Sequence, residues 1–580
     1  MTSRLDRHER IAKLRSCRTP VPDTEVQELL AELDESHLVA EIEPLLARRT
    51  GRSSRLPVQA LLLGMCLASA RHVGTVTLTV VTDLLFYSLS DASREQLGIC
   101  RYADHAQGFE AAYATVRRRF HRIVSAIDPS PLPKNHRLDK TIANRLRSEA
   151  DPDRLAHRRA LMLRIVNLIL AMSLRDAHAL LEGRWNGSAA LDATVVGAYS
   201  KGLSSDSPVT ASDPDAGWYV RTARHKDPLA RGAEKQEGKQ KDRVKKSLYG
   251  YDVLLVVARD PDHTGTPLPD GSADPDVVPA LVVAFSLDKP SERPAEVAIE
   301  ALQHVDPRYP RGYLAGDRLY PDQKQDKFQL PIRAMGYQPV YDFAENQLGV
   351  KADFAGAELI EGNWYCPSMP QPLKDATKDL IAKKIDKQTW IERIRGRTAH
   401  LFMPKQRPDA EGHRRMMCPA EANRVQCPLK PYTLGRGIHL PLIDVDPGKT
   451  PVDPYACCTQ RTITIPPEAG AKLWQPLQYG TAEWQRVYFR LRNAIEGMNG
   501  FGKDPLYERL ESGGTRRIRG IASQAVLLAF QLAHANKRKL AAWARSVALH
   551  GDHAQRRSTR RRATKSLGEW TPVGYLTAAT

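Results

Sequence analysis

Three carboxylates in this sequence stand where an acid is costly or conspicuous. Asp192 interrupts the strand-forming stretch "AALDATVVGAYS", Asp317 falls near the end of "GYLAGDRLY", and Glu496 lies in "FRLRNAIEGMNGFGKD" between Arg492 and Lys503. A charge inside a buried strand is expensive unless it is paired or coordinates a metal, which makes Asp192 the most informative of the three. Converging carboxylates make an oxygen-rich site for Mg²⁺ or Mn²⁺, and two such ions can activate water and stabilise a leaving oxygen in phosphodiester cleavage. Arg492, Glu496 and Lys503 follow one another at intervals of four and seven, which puts them on one face of a helix. That helix is expected to end at its glycines. The competing explanations are unrelated structural carboxylates, and an Arg492–Glu496 surface pair worth only about 0.3–0.5 kcal/mol.

Cysteine chemistry is concentrated elsewhere. Eight cysteines in 580 residues are too few for a disulfide scaffold, yet five of them fall between Cys366 and Cys458. Cys366, Cys418 and Cys427 each precede a proline, and "YACCTQ" adds Cys457 and Cys458. Cys366, Cys418, Cys427 and Cys457 suffice for one tetrahedral Zn²⁺, with Cys458 as an alternative fourth ligand. The spacing lacks the two-residue knuckle of a zinc finger, and buried free thiols are the competing reading. Cys17, Cys66 and Cys100 read as isolated core or surface thiols.

The elements that must position these groups change character along the chain. Residues 1–184 read as an all-α region, with Val116, Phe120, Ile123, Val124 and Ile127 in one apolar stripe, suited to a helical bundle or a helix-turn-helix that binds DNA ends. From 185 to 349 the pattern is α/β. Three strands, expected as a meander, are followed by a fourth strand, the helix "PAEVAIEALQHV", the strand ending at Asp317, a further helix and "YQPVYDF". Strands first and then alternation predict a mixed sheet with flanking helices. A basic excursion, "RGAEKQEGKQKDRVKK", separates the second and third strands. Residues 350–470 read as a Cys-bearing insertion of loops around one amphipathic helix, "KDLIAKKIDKQTWIERI". Helical pattern returns over 471–536. The remainder, 537–580, reads as a flexible tail, with ten Lys or Arg against one acid between 537 and 565.

Taken together, the three acidic motifs resemble those of the DDE transposases of bacterial insertion sequences. "LDATVV" is similar to the strand carrying that family's first Asp, "AGDRLY" to its second-Asp motif, and "FRLRNAIEGMNGFGK" to its third. One branch carries the signature Tyr, two residues, Arg, three residues, Glu, six residues, Lys. Here the spacing is kept with Phe489, Arg492, Glu496 and Lys503, Phe replacing Tyr and Tyr488 lying one position out of register. The resemblance implies a ribonuclease-H-like catalytic core. It implies Asp192, Asp317 and Glu496 as ligands for Mg²⁺ or Mn²⁺, and Arg492 and Lys503 as contacts to the phosphates of the DNA end. Arg516, Arg517 and Arg519 would extend that backbone contact. Excision through a DNA hairpin, and a dimer or larger synaptic complex holding two ends, follow from the same resemblance.

Charge agrees with such a partner. There are 85 Lys+Arg against 67 Asp+Glu, a formal net charge of +18, which favours a polyanion, nucleic acid first. The apolar runs are too short or too polar to span a bilayer, and the opening "MTSRLDRHERIAKLRS" lacks a secretion signal, so a cytoplasmic protein without a membrane partner is expected. Two other functions fit the same residues: a decayed or domesticated transposase that only binds DNA, and a ribonuclease-H-like nuclease without strand transfer.

Overall fold

The structure, a computed structural model, describes residues 7–46, 55–222, 244–263, 277–437, 439–445 and 454–550. The apolar run 253–258 is wholly buried, and a six-stranded sheet is built around it. Its strands are β1 (Ala189–Gly197), β2 (Gly217–Thr222), β3 (Val244–Ala258), β4 (Leu281–Asp288), β5 (Tyr313–Ala315) and β6 (Gln338–Val340). β3 pairs antiparallel with β1, β2 and β4, whereas β5 runs parallel to β1 and β6 parallel to β5. The expected mixed sheet is therefore present, but its first three strands are not a meander. β2 joins the opening half of β3, up to Gly250, and β1 joins the half from Gly250 onward. The strand is long enough to serve both, and the close approach at the changeover needs glycine: a Cβ on Gly250 would lie 1.9 Å from the Val196 carbonyl oxygen.

The parallel pair sets the geometry that matters. Ala189 is in register with Leu314 and Ala190 with Ala315; Asp192 and Asp317 each follow two residues later. Two adjacent parallel strands thus deliver their acids toward the same end of the sheet. The helix Pro294–Gln303 buries Val297, Ala298, Ala301 and Leu302, as its pattern predicts, against β3 and β4. The helix Ala482–Gly502 lies across β1, β3, β5 and β6.

Among the described residues, β4 has no second strand partner. Two asparagine side chains supply one instead. On the helix Pro152–Met172, Asn167 accepts from the Phe285 N–H and donates to the Phe285 carbonyl, both at 2.9 Å. On the helix Ile521–His550, Asn536 accepts from the Val282 N–H at 2.9 Å and donates to its carbonyl at 2.8 Å. Both asparagines are buried with their hydrogen bonds made, as burial of an amide requires. The described N-terminal residues up to Gly183 are helical where they form elements, and their core is continuous with that of the sheet.

Three expectations about the elements change. The helix Ile521–His550 carries the first part of the expected flexible tail, where Lys537 pairs with Glu32 at 2.7 Å and Arg538 with Glu508 at 2.6 Å; residues 551–580 lie outside the described residues. The insertion holds two small antiparallel sheets, β7 (Val350–Phe354), β8 (Ala357–Ile360) and β9 (Asn363–Tyr365), then β10 (Met403–Pro404), β11 (Arg414–Met417) and β12 (Ile463–Ile465). Its single expected helix is two, Ala376–Ile381 and Lys387–Arg397. Lys383 takes a left-handed conformation (φ 58°) and Asp386 caps a fresh N-terminus by accepting from the Thr389 N–H at 2.8 Å. Of the basic excursion, only 244–246 is described, as the start of β3.

Candidate active site

Glu496 is carried by a helix whose two faces have different work. Thr481 caps it by accepting from the Trp484 N–H. Trp484, Val487, Leu491, Ile495 and Met498 are buried on one side. Arg492, Glu496, Asn499 and Lys503 follow on the other at intervals of four, three and four. The helix does not stop at its glycines but runs through Gly497 and Gly500 to Gly502. A glycine inside a helix costs about 1 kcal/mol; here burial of Met498 and Asn499 in the same turns holds the helix against that cost. A Cβ on Gly497 or Gly500 would meet nothing within 4 Å, so bare backbone faces open space beside Glu496.

The polar face lands on Asp192. The Arg492 guanidinium donates to the Leu191 carbonyl at 3.2 Å and lies 3.7 Å from Asp192 Oδ1 and 3.5 Å from Glu496 Oε1. Asn499 donates its amide to Asp192 Oδ2 at 3.0 Å. Burial pushes the Asp192 carboxyl up to about 6; Arg492 opposes this, and the charges of Asp317 and Glu496 push it further. Burial pulls the Arg492 guanidinium down, but Asp192, with Tyr488, Asp317 and Glu496, holds it above its ordinary value. The three acids expected to act together therefore share one electrostatic neighbourhood, with Glu496 the open member at 63% side-chain exposure.

The donor set suits a hard divalent cation. It consists of carboxylate oxygens whose mutual repulsion a cation relieves, and a cation, Arg492, already stands between two of them. Spacing is looser than in a closed cage. Among the described residues, the one trio of His, Cys, Asp or Glu whose ligand atoms all lie within 4.8 Å of one another is Asp409, Glu411 and His413, on the exposed turn between β10 and β11.

The side chains around these acids differ in burial. Tyr320 is buried and stacks on Phe328 with ring centroids 4.9 Å apart; burial, then the charges of Asp192 and Asp317, hold its hydroxyl proton well above the ordinary range. Tyr488 is buried against Trp484, and Phe489 is half-buried. Lys503 ends the helix and pairs with Glu511 at 3.0 Å. The phosphate contact expected of Arg516 does not hold. That side chain is fully buried and donates to Gln524, Gln531 and the carbonyls of Gly197 and Leu510, an interior cross-brace between the turn after Lys503 and the end of β1. Its neighbours do reach the surface. Arg517 and Arg519, with Arg117, His121, Asn135 and Tyr199, line a groove of about 950 Å³.

Asn499 carries no signal in its residue type, although its place three residues beyond Glu496 and seven beyond Arg492 marks the same helix face. It is buried, and its amide oxygen has no hydrogen-bond partner among the described residues.

No protein-family model, curated protein or solved structure matches the chain.

None of the described helices is long and apolar enough to cross a membrane.

Proposed function

We propose that the chain is a divalent-metal-dependent DNA transposase of the DDE type, which hydrolyses strands at the ends of its element and joins them to target DNA. One observation carries this reading: Asp192 on β1, Asp317 just past the neighbouring parallel strand β5, and Glu496 on a helix laid across both come close enough that Asp317 and Glu496 act on Asp192 and all three act on Arg492. Strand order supports it as well. Without β2, the sheet runs β4-β3-β1-β5-β6, with the first three antiparallel and the last two parallel to β1, the arrangement expected of a ribonuclease-H-like core.

Mg²⁺ or Mn²⁺ held by Asp192, Asp317 and Glu496 would supply activation of the attacking water and charge stabilisation at the leaving oxygen. The chain's own groups prepare that site. Asn499 fixes one Asp192 oxygen and leaves the other facing Arg492, so the carboxylate is oriented before any ion arrives. Arg492 offsets the acids' repulsion in the free protein and is placed to swing toward a phosphate once a metal takes over that task. Gly497 and Gly500 keep the helix surface beside Glu496 flat enough for a DNA backbone. The basic groove at Arg517 and Arg519 gives the duplex a sequence-independent contact.

The test is nicking of DNA carrying the ends that flank the gene, by purified protein in Mg²⁺ or Mn²⁺, beside Glu496→Gln. Metal-dependent nicks that vanish in the variant are the expected result. Binding of those ends by both proteins with no nick from either would replace the enzyme with a DNA-binding relic, and nicks without joining would leave a nuclease.

A further inference from the structure

The five cysteines of the insertion come from four separate places in the chain, and all five are buried in one continuous core. Cys366 follows β9, Cys418 follows β11, Cys427 lies in the loop beyond it, and Cys457 and Cys458 sit in the short helix Ala456–Thr459. Three of the sites are built alike. In "CPSM" the Met369 N–H donates to the Cys366 carbonyl at 3.0 Å, and in "CPLK" the Lys430 N–H donates to the Cys427 carbonyl at 2.9 Å. In "CPAEA" the Ala422 N–H reaches the Cys418 carbonyl at 3.0 Å. Proline fixes the first step of each turn and removes a competing donor. Burial pushes the Cys366 thiol up to about 12 and raises that of Cys427, and the backbone N–H groups of Ser368 and of Leu429 and Lys430 offset part of that rise. Those amides favour the thiolate, the form that binds metals, against the effect of burial.

Pairing brings these stretches together. The Cys366 N–H donates to the His400 carbonyl at 3.0 Å just before β10, Met403 of β10 pairs with Met417 beside Cys418, and Met416 pairs with Ile463 of β12. The Lys430 ammonium donates to the Gln460 carbonyl, two residues past Cys458, at 2.6 Å. Charges on Cys418, Cys427 and Cys458 accordingly bear on Cys366, and those on Cys418 and Cys458 on Cys427. The Lys430 ammonium, 2% exposed, reaches this group; it acts on Cys458 and feels Cys418, while pairing with Glu421 at 3.0 Å. A buried cation beside converging thiols offsets part of the negative charge that four thiolates would leave around one divalent ion. The vicinal pair has unequal roles. The two sulfurs are 3.8 Å apart, and charges on Cys366 and Cys418 bear on Cys457 too, but only Cys458 both bears on Cys427 and is acted on by Lys430, whereas Cys457 is the more deeply buried.

We propose that Cys366, Cys418, Cys427 and Cys458 bind one structural Zn²⁺ that ties the two small sheets of the insertion together, with Cys457 outside the ligand set. Four sulfur donors with no open position define a closed, non-catalytic site. The sulfurs stand wider apart than zinc ligands do, since no three of them lie mutually within 4.8 Å, so the site as proposed closes only as the ion draws them in.

The proposal is tested on the full chain, purified after growth with added zinc, by elemental analysis and by replacing zinc with Co²⁺. One zinc per chain is expected, retained by Cys457→Ser and lost from Cys458→Ser. The Co²⁺ protein should show sulfur-to-cobalt charge transfer together with the intense visible bands of tetrahedral cobalt. That spectrum is read on the unaltered chain, so a variant that fails to fold does not blunt the test. Absence of zinc, or a Co²⁺ spectrum without charge transfer, as carboxylate ligands would give, overturns the site. Zinc kept by Cys458→Ser and lost from Cys457→Ser overturns the ligand set.

Discussion

Two regions of this chain gather side chains of the kinds that bind metals, and they do so in opposite ways. Around Asp192 the donors are oxygens, Glu496 stands open to solvent, and an arginine occupies the space between the carboxylates. In the insertion the donors are sulfurs, all are buried, and the cation beside them, Lys430, is buried as well. Softness of the donor separates the ions each can hold, and exposure separates what the ion can do. An open oxygen site admits a substrate. A closed sulfur site can only fasten the chain to itself.

The sharpest way to break this comparison is at Glu496. Glu496→Gln should lower metal-dependent nicking by about a thousandfold or more, because it removes a charge needed in the transition state, while end binding measured by gel shift stays within a few-fold. Similar loss of binding and nicking would make Glu496 a DNA contact and not a metal ligand.

Next in size is removal of zinc. A tight chelator should lower the melting temperature of the unaltered protein, through loss of several kcal/mol, and leave the melting temperature of Cys458→Ser unmoved. Magnesium should not restore the loss, since the sulfur site does not take a hard ion.

Asp192 distinguishes the regions by pH. Its folded value is raised to about 6 from 3.8. Its contribution to stability is thus fully present below about pH 4 and is lost as pH rises through about 6. At pH 8 the free protein holds a carboxylate that burial disfavours, and Asp192→Asn should stabilise it by about 1–3 kcal/mol in denaturant melts. The same variant should lose any stabilisation by Mg²⁺. Mg²⁺ binding by the unaltered protein should strengthen with pH through the same window, because the carboxyl must lose its proton to hold the ion. A destabilised Asp192→Asn would mean that the pairing with Arg492, and not burial, dominates there.

The smallest effects belong to Gly497 and Gly500. Replacing either with alanine should stabilise the helix by about 0.5–1 kcal/mol, because the new Cβ meets nothing, yet should weaken DNA binding if the backbone approaches there. Unchanged affinity in a more stable protein would move the DNA path away from this face.

Much of this arrangement is legible in the residues themselves, where burial and spacing act locally. Asp192 announces itself as an acid in an apolar strand, and the alternation of strands and helices after β4 yields the parallel β1–β5 pair. The paired spacing of Arg492 and Glu496 gives the helix face. The illegible parts depend on partners far away in sequence. Arg516 looks like any surface cation until Gln524, Gln531 and the end of β1 close over it. The glycines look like a helix stop because propensity is local, whereas packing of Met498 and Asn499 is not. β2 looks like the neighbour of β1, but the unusual length of β3 gives it another place. The turn chemistry of the Cys-Pro steps is readable, although nothing in their spacing reveals that two small sheets carry them.

The amides of Asn167 and Asn536 on β4 have a consequence for how copies of this chain can meet. A sheet edge with free N–H and C=O groups invites strand addition, whether useful or aggregating. At Val282 and Phe285 those groups are already engaged by side chains fixed in packed helices, so a second molecule cannot extend the sheet there without first pulling two buried asparagines away. Self-association is thereby steered toward side-chain surfaces, and the nascent chain gains protection against edge-to-edge clumping once both helices have docked.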